Sequence, residues 1–100
     1  MPQSLPDLAQ LLPSWELALK AERKSPQTVD SYTRGVTLFL RWCAETGTGP
    51  EMTRAAVQAF ISALLDGGAE PATARARHMA LRRYAAWLVD EGEIEANPLL

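Results

Sequence analysis

The chain has 100 residues, 47% of them hydrophobic and 22% charged, with a formal net charge of −2 at pH 7. That length fits one domain with a modest core, and that balance excludes a disordered chain. No apolar run approaches the roughly 18 residues needed to span a bilayer, and the opening MPQSLPDLAQ lacks the basic start of a secretory signal.

The first helical region is expected over about Leu5 to Arg23, with a short turn near Pro6–Leu12. Pro13 then starts a helix that reaches about Glu22, because proline fits a first turn better than a helix interior. Trp15, Leu17, Ala18 and Leu19 supply its apolar positions. The second helix has Ser25 as N-cap and Pro26 as first residue, runs to about Glu45 and stops at Gly47. Val29, Tyr32, Val36, Phe39, Leu40 and Cys43 fall on one face of it. Asp30, Arg34, Thr37, Arg41 and Glu45 fall on the other, with Asp30–Arg34 and Arg41–Glu45 spaced for ion pairs.

Thr53 caps a third helix, about Arg54 to Leu65, buried through Val57, Phe60, Ile61 and Leu64 and ended by Gly67 and Gly68. Pro71 begins a fourth, which runs to about Asp90 with Gly92 as its stop. The segment EIEANPLL follows as an extended tail, since Asn97-Pro98 disfavours helix. No stretch alternates with the period of a strand. The fold class is therefore all-α, a compact bundle of four main helices.

Catalytic and metal chemistry find little to work with. His78 is the only histidine and Cys43 the only cysteine, too few for a common zinc site. Cys43 lies on the apolar face of the second helix, where a thiol packs and stays inert. As the single cysteine it suits a reducing, cytoplasmic setting. No glycine-rich phosphate loop opens a helix, and no cofactor is expected.

The charges are sorted along the chain. Arg75, Arg77, Arg82 and Arg83 lie between Pro71 and Val89 with no acid among them, and Asp90, Glu91, Glu93 and Glu95 follow with no base. At about 100° per residue, Ala80, Tyr84, Trp87 and Leu88 share the core side of the fourth helix. Arg75, His78, Met79 and Arg82 form a stripe on the opposite side, with Arg83 at its edge. Arg77 falls on the core side and must snorkel or pair with an acid. An unrelieved positive stripe suits an anionic partner, although a solvated face is the common reading of a charge run and the net acidity is unlike a DNA-binding domain. The start of the second helix adds free backbone N–H groups flanked by Lys24, Ser25, Gln27, Thr28 and Ser31. A well-capped helix accounts for the same residues.

SPQTVDSYTRGVTLFLRWC resembles the Ser-x-x-Thr-hydrophobic-x-x-Tyr-x-x-x-hydrophobic-x-x-Phe pattern of the N-terminal domain of tyrosine recombinases (phage integrases). Ser25, Thr28, Val29, Tyr32, Val36 and Phe39 stand at its positions. PATARARHMALRRYAAWL is similar to the family's second signature through Thr73, Arg77, Leu81, Arg82, Tyr84, Trp87 and Leu88, and EGEIEANPLL to the segment that closes the domain. The resemblance runs from about Leu8 to Leu100. It implies a SAM-like core-binding domain that grips one face of double-stranded DNA at a recombination site. A separate C-terminal domain would grip the other face and cut.

The second and fourth helices would lie against the major groove. Lys24, Ser25, Thr28, Ser31 and Arg34, with Arg75, His78, Met79 and Arg82, are then the candidate DNA contacts. The resemblance also implies other recombinase protomers as partners on DNA, a monomer in isolation, and a chain that stops before the catalytic domain and is not itself an enzyme. Tyr32 and Tyr84 are expected in the core and not as nucleophiles. The alternative is a helical protein–protein module that docks a partner through Leu38, Trp42 and the proline-rich start.

Overall fold

Asp7 opens the first helix: its side chain accepts the backbone N–H of Gln10 at 3.1 Å. The computed structural model describes residues 7–49 and 51–100. They form α1 (Leu8–Ala21), α2 (Pro26–Thr46), α3 (Arg54–Asp66) and α4 (Pro71–Asp90), with no strand among the described residues. The chain is all-α, as its apolar spacing implied. Leu5 and Pro6 of the expected first helical region lie outside the described residues.

α1 begins earlier than expected, and Pro13 sits inside it. An interior proline costs about 3 kcal/mol, because it removes one helix bond and crowds the preceding turn. The carbonyl left without its partner is that of Ala9, which is exposed and open to water. Three gains offset the cost. Leu8 is buried to 4% exposure, which is worth about 1.5–3 kcal/mol. The Asp7 cap adds about 1 kcal/mol. The Tyr84 hydroxyl donates to the Leu8 carbonyl at 2.6 Å, for about 1 kcal/mol more. Leu17, expected among the apolar positions, is instead 69% exposed. The buried stripe of α1 is Leu8, Trp15 and Leu19, and two residues beyond Trp15 puts Leu17 on the far side of the helix.

α1 and α4 end in the same hydrogen-bonded turn. Lys24 N–H donates to the Leu19 carbonyl at 3.1 Å, and Glu93 N–H to the Leu88 carbonyl at 2.9 Å. The turn needs a left-handed residue one position earlier. Gly92 supplies it in α4 with φ 75°, whereas Arg23 supplies it in α1 with φ 62°. A side chain in that conformation costs about 1 kcal/mol. Arg23→Gly is therefore expected to stabilise the fold by about 0.5–1 kcal/mol, read as a higher urea midpoint at unchanged slope.

α2 packs most extensively on α4, α1 lies on α2, α3 lies on α4, and α2 and α3 touch lightly. Two aromatic groups tie these elements. Trp15 stacks with Tyr32 at 5.9 Å and meets Tyr84 at 4.8 Å, while Tyr84 stacks with Trp87 at 5.9 Å. Phe60 of α3 meets Phe39 at 5.5 Å and Trp42 at 5.8 Å. Val36, Leu81 and Leu88 are fully buried in the same core.

The segment after α4 is neither helical nor extended. Asn97 folds it back: its side-chain oxygen accepts Leu99 N–H at 2.9 Å, and its amide donates to the Arg82 carbonyl at 3.4 Å. Leu99 is buried as a result. Asn97-Pro98 does exclude helix, but burial of Ile94 and Leu99 against the bundle replaces the expected extended tail.

Candidate nucleic-acid interface

α2 and α4 cross at Gly35. A Cβ placed there would lie 2.6 Å from the Ala80 Cβ and 3.6 Å from the Arg77 Cα and carbonyl oxygen. A glycine inside a helix costs about 1 kcal/mol relative to alanine, and here it lets two backbones meet. Lys24 and Tyr32 share a cleft with Arg83, Ala86, Trp87 and Asp90. The start of α2 therefore lies beside the end of α4, and the two helices run antiparallel. Arg77, expected to snorkel or pair, is half-buried beside the crossing and forms no ion pair among the described residues.

On α2, Lys24, Ser25 and Arg34 are exposed, while Thr28 and Ser31 are half-buried. The Ser25 hydroxyl accepts Thr28 N–H at 3.1 Å and donates to the Thr28 hydroxyl at 2.9 Å. The capping expectation is met, and Thr28 keeps its own hydroxyl proton to give. Neither expected ion pair of α2 forms. Among the described residues the one pair within 4.0 Å is Lys20–Glu16, at 3.5 Å. Arg34 and Arg41 are exposed without a carboxylate partner.

On α4, Arg75, Met79 and Arg82 are exposed and His78 is half-buried. The stripe does not present a single front. Met79, Arg82, Arg83 and Ala86 border one cleft with Asn97. His78 and Arg82 border another with Arg54, Gln58 and Leu99. Arg82 stands between them, and the folded-back tail runs along its flank.

Two further basic residues, Arg83 and Arg54, line clefts with these candidates. Arg83, placed at the stripe's edge, faces the Lys24 cleft. Arg54, the first residue of α3, lines one cleft with His78 and Arg82 and donates to the Leu100 carbonyl, a placement that depends on how α3 and the tail pack. Glu22 and Asp90 also line the Lys24 cleft, so the sign is mixed at that end.

The nucleophile candidates are quiet. Cys43 is buried, and burial pushes its thiol above its ordinary range. Tyr84 is buried and its phenol is pushed up by the same cause. Among the described residues no three His, Cys, Asp or Glu side chains gather as a metal would require.

Residues 12–92 match the family described as phage integrase, N-terminal SAM-like domain. The chain belongs to that family. The SAM-like domain is 31% identical over 94 residues to a tyrosine recombinase XerC of Xylella fastidiosa (strain M23), covering 91% of this chain and 32% of that protein. It is 35% identical over 83 residues to the tyrosine recombinase XerC of Salmonella typhi, covering 80% and 28%. To that of Serratia marcescens it is 33% identical over 96 residues, covering 93% and 32%. The domain thus spans about a third of the length of these relatives. No solved structure matches it.

Proposed function

We propose that this SAM-like domain binds double-stranded DNA as the core-binding part of a site-specific tyrosine recombinase, with strand cleavage and rejoining left to a separate catalytic domain. The observation that carries the reading is a set of exposed arginines on α2 and α4, the two helices that pack most extensively on each other. Arg34, Arg41, Arg75, Arg82 and Arg83 are exposed, and among the described residues none has a carboxylate within 4.0 Å. Exposed arginines on two packed helices suit phosphates on one face of a duplex. Ser25, Thr28 and Ser31 at the start of α2 add short donors where the helix N-terminus favours anions.

Partners in this reading are duplex DNA and further protomers assembled on it, in the cytoplasm. No described helix is long and apolar enough to cross a membrane. The protein–protein alternative would dock a partner through Leu38 and Trp42; Trp42 packs on Phe39 and Phe60, and both residues are half-buried against the core, which favours the duplex reading. Its proline-rich start lies largely outside the described residues. Titration of a labelled duplex at low ionic strength is the test: saturable, salt-sensitive binding is expected, and no binding removes the reading.

A further inference from the structure

We infer that Gly35 is a positioning residue for duplex binding, setting the distance between α2 and α4 at which both helices reach the same stretch of DNA. The inference rests on the duplex-binding reading above. The Ala80 side chain already fills the crossing, and a methyl at position 35 would lie 2.6 Å from it. Carbon atoms rest at about 3.5–4.0 Å, so the helices must separate by about 1 Å at that point. Ala80 is fully buried at the most extensive helix contact of the fold, so the strain has no exposed side chain to relax into.

The consequence falls unevenly on the candidate contacts. Thr28 and Ser31 lie seven and four residues before Gly35, on the same ridge of α2. Each carries its hydroxyl on a single rotor, and a hydrogen bond tolerates a spread of about 0.5 Å. Arg34, Arg75 and Arg82 have long flexible stems that can follow a shift of about 1 Å. Widening the crossing should therefore break the short hydroxyl contacts and spare the arginine ones. Loss of neutral donors lowers affinity without changing how many counterions are released.

Gly35→Ala, checked as folded by circular dichroism, is expected to weaken duplex binding about fivefold to tenfold, with the salt slope kept. Moving the methyl across the crossing, Gly35→Ala with Ala80→Gly, should restore the affinity. Wild-type affinity in folded Gly35→Ala overturns the inference, as does a folded double variant that stays weak. Where Gly35→Ala does not fold, the double variant is compared with Ala80→Gly, which leaves the crossing without a methyl. Weaker binding by Ala80→Gly than by the double variant supports the inference, and equal binding overturns it. A wild-type chain that binds no duplex overturns both this inference and the reading beneath it, whereas binding with indifference to the crossing overturns this inference alone.

Discussion

Tyr84→Ala is expected to destabilise the fold by about 3–5 kcal/mol, enough to unfold much of a small domain at ambient temperature. Large-to-alanine changes at buried aromatics fall in that range, and native stabilities are only about 5–15 kcal/mol. Tyr84 is fully buried and meets both Trp15 and Trp87. Its hydroxyl also fixes the start of α1 through the Leu8 carbonyl. The truncation therefore empties the core and loosens the turn that tolerates Pro13. Tyr84→Phe keeps the ring and loses one buried hydrogen bond, for about 1 kcal/mol.

The same residue gives a pH dependence. Burial, with the carboxylates of Asp7 and Glu93 adding to it, raises the phenol above its ordinary value of 10.0. The folded state then holds that proton to higher pH than the unfolded state does. Its contribution is complete below pH 10 and is lost as pH rises beyond it, where only the unfolded chain ionises. Urea midpoints measured across that window should fall for wild type, and the Tyr84 part of that fall should vanish in Tyr84→Phe.

The second large effect concerns binding. Replacing Arg75 and Arg82 together with alanine should weaken duplex binding by roughly tenfold or more at low salt, while stability changes by about 0.5 kcal/mol or less because both are exposed. The slope of log affinity against log salt should fall in magnitude by about 2, close to 0.9 for each phosphate contact removed. An unchanged slope would mean that neither arginine meets a phosphate. The contrast with Gly35→Ala is informative, since that variant is expected to lose affinity at constant slope. The two experiments thus separate charge from spacing.

Much of this architecture was legible in the chain. α2 announces itself: Ser25 and Pro26 start it, Gly47 ends it, and Val29, Val36, Phe39 and Cys43 recur at the spacing of one buried face. α4 is as clear from Pro71 to Gly92. Local rules decide both, so local reading suffices. α1 runs through Pro13 against the local rule because much of the compensation is non-local: Leu8 is buried in the bundle, and its carbonyl accepts from Tyr84, 76 residues away in sequence. The tail departs from an extended form because its fold-back depends on a distant carbonyl, that of Arg82.

The candidate site divides in the same way. Periodicity alone brings Arg75, His78, Met79 and Arg82 to one side of α4. It cannot tell that Arg82 faces two clefts, or that Arg54 shares one of them with His78, since both follow from how α3 and the tail pack. Gly35 did carry a signal, a helix-interior glycine with no turn to make, and its meaning emerged only with Ala80 across from it. The expected ion pairs of α2 failed for another reason: exposed pairs at that spacing are worth only a few tenths of a kcal/mol, too little to hold two long side chains together.

Duplex binding through α2 and α4 is read out residue by residue in amide chemical shifts on addition of a duplex at low salt. Shifts are expected between Lys24 and Arg34 and between Arg75 and Arg83 on α4, with the outer face of α1 around Leu17 left unmoved. Shifts centred on Leu17, or none at saturating duplex, would contradict binding through these two helices.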